Sequence, residues 1–182
     1  MKIAIAGSGA LGSGFGAKLF QNGYDVTLID SWESHVKAIQ TNGLHIDING
    51  EHSHLEIPMY DSRDIPEDVL YDVVFLFPKS MQLKEVLDYI QPHINQSTIV
   101  VCTMNGLKHE RLIEQYVELP QIVRGVTTWT AGIESPGYTH LMCSGPVEVG
   151  ALVTEGTDNV KTIVDILNKA EVNGVLSDDL HH

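Results

Sequence analysis

Basic residues are scarce: 11 Lys and Arg stand against 24 Asp and Glu, leaving a formal charge of -13. Such a chain repels nucleic-acid backbones and anionic membranes as general partners, so any phosphate it holds must be met by local groups working against the overall field. Cysteine is nearly absent too. The two present, Cys102 and Cys143, lie in apolar runs without metal-ligand spacing, which excludes a disulfide framework or a zinc motif and points to a reduced, cytoplasmic protein. No apolar run approaches the roughly 20 residues that span a bilayer, and the chain enters a strand at once without a cleavable leader. Internal repeats and low-complexity tracts are likewise missing.

What remains is ordinary globular material, 182 residues with 43% hydrophobic and 19% charged. That is enough for one domain with a substantial core, or one domain and the start of another.

The informative stretch is Met1 to Asp30. An apolar strand runs straight into Gly7-Ser8-Gly9-Ala10-Leu11-Gly12, a helix follows, and a second apolar run ends on a carboxylate. A lone G-x-G-x-x-G is common; one between strand and helix with an acidic residue after the next strand is a dinucleotide fingerprint. Gly7 permits the tight turn, Gly9 lets backbone approach a pyrophosphate, and Gly12 lets the helix pack against the sheet. The helix starting near Ala10 presents unpaired N–H groups and the positive end of its dipole to phosphate. Asp30 stands where a carboxylate accepts hydrogen bonds from the adenosine ribose.

The rest of the chain sustains the alternation. Helix is expected over Ala10–Gln21 and Ser31–Thr41, with strands over Lys2–Ala6 and Tyr24–Ile29. Asn49-Gly50 predicts a hairpin inserted between Leu44 and Pro58, carrying His45, His52 and His54. The last two share a strand face, but no further residue completes a ligand set, so they read as solvated and no metal is expected. Strands over Asp72–Phe77 and Ser97–Thr103 end at Lys79 and Asn105, with helices after each. Leu83, Val86, Leu87 and Ile90 form one apolar stripe of the first. A strand over Gln121–Thr128 precedes a loop, Trp129–Pro136. Tyr138–Cys143 and Val147–Leu152 read as an antiparallel pair joined around Ser144-Gly145-Pro146. A helix over Thr157–Val172 and a short strand at Val175–Ser177 close the pattern. The fold class is α/β, a doubly wound, mostly parallel sheet with helices on both faces, a β-hairpin insertion and antiparallel edge strands.

Read in order, MKIAIAGSGALGSGFG at Met1–Gly16, Phe77-Pro78-Lys79-Ser80, Met104-Asn105-Gly106, and Gly125-Val126-Thr127-Thr128 with Ala131 close behind resemble the N-terminal Rossmann domain of ketopantoate reductases. The resemblance covers the whole chain. It implies residues 1–174 as an NAD(P)-binding domain and 175–182 as the start of a linker to a helical domain outside this sequence. It also implies that Gly7, Ser8, Gly9, Ala10, Leu11 and Gly12 bind pyrophosphate, that Lys79 and Ala131 contact the cofactor, and that Asn105 touches nicotinamide and substrate. The implied reaction is reduction of ketopantoate to pantoate, in pantothenate biosynthesis, by hydride transfer from NAD(P)H. The lysine acid and substrate-binding glutamate of the family belong to the helical domain, so no catalytic residue is expected in this chain and it should not turn over alone. Any oligomer would form through that other domain.

One residue departs from the family pattern. Members preferring NADPH carry a basic residue at the end of the second strand, where this chain has Asp30. A carboxylate there repels the 2′-phosphate, which favours NADH and keeps open an NAD-dependent D-2-hydroxyacid dehydrogenase of the same family. A third alternative is a non-catalytic dinucleotide-binding module that senses redox state through a partner.

Overall fold

Two sheets share one helix. The computed structural model describes residues 1–77, 82–103 and 107–177. The larger sheet contains β1 (Lys2–Ala6), β2 (Asp25–Asp30), β5 (Met59–Asp61), β6 (Val73–Leu76), β7 (Ile99–Cys102), β8 (Ile122–Thr127), β11 (Val147–Ala151) and β12 (Gly174–Leu176). Their spatial order is β12-β11-β8-β7-β6-β1-β2-β5. From β5 to β8 every pairing is parallel, and the order reverses between β1 and β6. Such a switch point opens a crevice beyond the carboxyl ends of the strands.

Both faces of this sheet are covered, which is why its central strands read as unbroken apolar runs. Ile3, Ile5, Val73, Phe75, Val101 and Val123 join the core under helices α1 (Ala10–Gln21) and α5 (Thr157–Lys169). The alternate residues Ala4, Ala6, Val74, Leu76, Val100 and Cys102 pack on the other face. There they meet Leu83, Val86, Leu87 and Ile90 of α3 (Leu83–Ile90) and Ile113 of α4 (Leu107–Ile113), so the stripe expected on α3 is the buried one.

The second sheet has four strands in the order β4-β3-β10-β9, namely Glu51–Leu55, Leu44–Ile48, Tyr138–Met142 and Thr130–Ser135. The hairpin turns at Asn49-Gly50 as expected, with both residues at positive φ. It joins this second sheet instead of extending the parallel one, because β3 pairs in parallel with β10. Helix α1 is therefore packed from two sides. A Cβ on Gly14 would fall 2.7 Å from Leu141 of β10, and one on Gly16 would fall 2.5 Å from Leu28 of β2. Glycine at both positions lets the two sheets close on one helix, and Gly12 through Ala17 are all buried.

Two expectations are corrected. Trp129–Pro136 is not a loop: Thr130–Ser135 is the edge strand β9, antiparallel to β10. Its composition, TAGIES, has a single large apolar residue, and an edge strand is held by backbone pairing that leaves little apolar pattern to read. Tyr138–Cys143 and Val147–Leu152 do not pair with each other. β10 belongs to the second sheet, whereas β11 runs antiparallel to β8 and parallel to β12. The Ser144-Gly145-Pro146 segment thus carries the chain between sheets. Leu141 must face α1 while Val147 and Val149 enter the core of the larger sheet, and one hairpin cannot serve both.

Candidate functional site at the strand carboxyl ends

β1 ends at the switch point, and the chain turns there through Gly7 at φ 89°, a left-handed conformation that glycine adopts without strain. The turn is tied beneath the end of β2: Gly7 and Ser8 both donate N–H to the Ile29 carbonyl, at 3.0 and 3.1 Å. Ser8 is fully buried. Its Oγ donates to the Ile5 carbonyl at 2.8 Å and accepts from the Ile29 N–H at 3.0 Å. Helix α1 begins at once, its first intrahelical bond running from the Ser13 N–H to the Gly9 carbonyl at 3.0 Å. The amides of the first helical turn, from Ala10 to Gly12, consequently have no intrahelical acceptor.

The glycines differ in what surrounds them. A Cβ on Gly12 would lie 2.3 Å from the Gly7 carbonyl oxygen, so that position is closed by the protein itself. A Cβ on Gly9 would meet no atom within 4 Å among the described residues beyond its chain neighbours. A phosphate group at Gly9 would meet the first-turn amides of α1, the donors that anion binding at a helix N-terminus uses. These residues fit a dinucleotide pyrophosphate.

Asp30 closes β2 as the sequence indicates. Its Oδ1 accepts the Trp32 N–H at 2.9 Å, which turns the chain into α2 (Glu33–Asn42). Asp61 stands opposite Asp30 on the neighbouring β5. Its carboxylate grips Arg63 in two hydrogen bonds, 2.9 Å to Nε and 2.8 Å to the terminal nitrogen, which hold it at a pKa of about 2. Ser62, Arg63, Lys84, Glu85, Asp88 and Tyr89 line a cavity of about 570 Å3 next to Asp30. Burial pushes the Tyr89 phenol upward, and the charges of Asp30 and Glu85 add to it. A broader depression of about 780 Å3 lies among Gln91–Gln96 and Glu114–Gln121, which precede β7 and β8. It faces the amino ends of the strands, away from the crevice.

Ala131 lies in β9, half-buried against the core that surrounds α1. Lys79 and Asn105 lie outside the described residues. Gly7 through Gly12 and Asp30 come together at one end of the sheet. Sequence reading missed His35 and Gly137, which brace this turn from behind. His35 sits in a helix beside apolar Val36 and Ile39, with nothing in the local pattern to distinguish it from a surface histidine.

The hairpin histidines have other partners. His45 stacks on His54 with ring centroids 4.2 Å apart, and His52 Nδ1 meets Asp47 Oδ1 at 2.9 Å. Tyr138 donates to the other Asp47 oxygen at 2.6 Å; with the His52 contact this lowers the Asp47 pKa. Among the described residues no three His, Cys, Asp or Glu converge as metal ligands.

The order of strands, the glycine turn at the switch point and the carboxylate ending β2 define a Rossmann-like domain. The chain belongs to the ketopantoate reductase PanE/ApbA family, whose match runs over residues 3–154. It is 41% identical over 184 residues to the 2-dehydropantoate 2-reductase of Lactococcus lactis subsp. lactis (strain IL1403), covering 100% of this chain and 58% of that protein. With the 2-dehydropantoate 2-reductase of Streptococcus pyogenes serotype M6 it shares 37% over 180 residues, covering 99% and 58%. The solved ternary structure of D-mandelate dehydrogenase with NADH and anilino(oxo)acetate matches at a TM-score of 0.95 and 40% identity, over 100% of this chain and 58% of that one. This chain therefore spans a little over half the length of these relatives.

Proposed function

We propose that these residues form the cofactor-binding portion of an NAD(P)H-dependent 2-dehydropantoate 2-reductase, which reduces ketopantoate to pantoate. The observation that carries this reading is the pair of glycines at the switch point, Gly12 closed by the Gly7 carbonyl and Gly9 with room for a Cβ among the described residues. Gly9 and the first-turn amides of α1 would hold the pyrophosphate, and Asp30 the adenosine ribose. A nicotinamide bound along this groove would supply the hydride delivered to the keto carbon of a 2-oxo acid. The chain's own part is binding and orientation. By family resemblance the acid that protonates the alkoxide, and any oligomer contact, belong to a helical domain following about residue 174. We accordingly expect residues 1–182 to bind nucleotide without turning over. A content of only two cysteines is in keeping with a cytoplasmic setting.

Asp30 favours a second reading. A carboxylate at the end of β2 disfavours the 2′-phosphate of NADPH, and the D-mandelate dehydrogenase likeness is to a structure holding NADH. The alternative is an NAD-dependent D-2-hydroxyacid dehydrogenase. Titrating NADH and NADPH into the chain, with tryptophan fluorescence as readout, tests the cofactor site. Binding of neither would sink both readings. Steady-state rates with ketopantoate and with phenylglyoxylate, measured on a reading frame that includes the helical domain, separate the two substrates.

A further inference from the structure

His35 is fully buried beneath the glycine turn, yet it is an ionisable group with no part in the binding scheme above. Its two ring nitrogens are both engaged. Nδ1 lies 3.0 Å from the Gly137 amide, and Nε2 lies 2.9 Å from the Ser8 carbonyl oxygen. A backbone N–H can only donate, so Nδ1 must present its lone pair and the ring proton must sit on Nε2. Nε2–H then donates to Ser8. Burial pushes the His35 pKa below its ordinary value, in keeping with a neutral ring. Ser13 Oγ donates to the same Ser8 oxygen at 2.8 Å, so the carbonyl is held by two donors from the protein side.

The consequence lies across the next peptide bond. A trans peptide unit is planar, with its C=O and N–H pointing in opposite directions, and this chain has no cis peptide among its described residues. Holding the Ser8 carbonyl inward toward His35 therefore turns the Gly9 N–H the opposite way, out from the His35 side of the turn. Rotating that peptide would replace a donor by a carbonyl oxygen facing the phosphate. The same imidazole stacks on Trp32 with centroids 5.3 Å apart, and the Trp32 N–H holds Asp30. Gly137, in the turn between β9 and β10, completes the brace from the second sheet.

We infer that His35 is a positioning residue for the dinucleotide site: its neutral Nε2–H tautomer locks the Ser8–Gly9 peptide with the Gly9 amide aimed at the pyrophosphate. This rests on the dinucleotide reading of the glycine turn. It assigns to the second sheet, through Gly137, a share in organising a site that is otherwise built on the first.

Two substitutions separate positioning from packing. A glutamine amide reaches the place of the histidine Nε2, whereas an asparagine amide reaches only that of Nδ1. His35→Gln keeps a donor for Ser8; His35→Asn keeps only the Gly137 contact. Dissociation constants for NADH and for ADP-ribose, measured beside each variant's melting temperature, are the readout. The expected result is an affinity for H35Q within about threefold of wild type and a loss of about tenfold or more for H35N, the scale of one hydrogen bond. Both variants should melt lower to a similar degree. Equal affinities for H35N and wild type, or losses that merely track melting temperature in both variants, would overturn the inference. Should either variant fail to fold, 15N chemical shifts of the wild-type histidines decide: a neutral Nε2–H ring at His35 supports it, and an Nδ1–H ring or an imidazolium overturns it. Wild-type protein that binds neither ligand would instead refute the dinucleotide reading itself.

Discussion

Gly12 rests against the carbonyl of Gly7 so closely that a Cβ on Gly12 would lie 2.3 Å from its oxygen. That contact lets α1 begin directly above the end of β1. Gly9, two residues past Gly7, has φ -70° and room for a Cβ among the described residues. The two glycines should therefore answer the same substitution differently. Gly12→Ala should destabilise the fold by about 2 kcal/mol or more, as overpacking against backbone that cannot yield. Gly9→Ala should melt within a few degrees of wild type and lose NADH affinity. Thermal unfolding and NADH titration of both variants check the pair.

Asp30 offers a test of cofactor choice that leaves the chain path intact. Asp30→Asn removes the charge and keeps an oxygen able to accept the Trp32 N–H. The ratio of NADPH to NADH affinity should rise by about tenfold, the effect expected of deleting one partly exposed like charge near a phosphate. An unchanged ratio would remove Asp30 as the source of discrimination.

Phe15 is the centre of an aromatic cluster, with ring centroids 4.7 Å from Trp129 and 4.8 Å from Phe77. It is fully buried on the helix shared by the two sheets. Phe15→Ala should cost about 3–5 kcal/mol. Chemical denaturation monitored through Trp129 emission would show both the lower midpoint and a changed tryptophan environment in the native state.

Two buried groups should shape the pH dependence of stability in separate ranges. The His35 pKa is depressed by burial from its ordinary 6.5. Below that value the unfolded chain takes up a proton that the native state refuses, so stability falls as pH drops from about 6.5 toward the native pKa. Above about 6.5 this contribution is constant. His35→Gln should flatten that stretch relative to wild type. Asp61 acts lower. Arg63 depresses its pKa from 3.8 to about 2. Its stabilisation is complete above about pH 4 and lost as pH falls through 2. Since the guanidinium is largely exposed, Asp61→Asn should cost about 1 kcal/mol at neutral pH. Denaturation midpoints from pH 2 to 8 resolve the two effects.

The larger sheet was legible because its central strands are buried on both faces and its helices carry one apolar stripe each. Val73–Leu76 and the α3 residues Leu83, Val86, Leu87 and Ile90 are examples. β9 was not, since Thr130–Ser135 owes its strand to backbone bonds with Tyr138–Met142. The separation of β10 from β11 was equally hidden. Both are short, alternating and divided by Ser-Gly-Pro, and only their distant partners assign them to different sheets.

The site divides along the same line. Gly7, Gly9, Gly12 and Asp30 stand out in sequence because turn conformation, backbone approach and terminal charge are local requirements, met within thirty consecutive residues. Family membership follows from the same residues and their sequels. Tertiary structure alone decided that Gly12 is sealed while Gly9 has room for a Cβ among the described residues, that Asp61 holds Arg63 beside Asp30, and that His35 joins Ser8 to Gly137. Those relationships span up to 102 positions and depend on which backbone atoms face one another after two sheets have closed on α1, a matter on which local composition carries no signal.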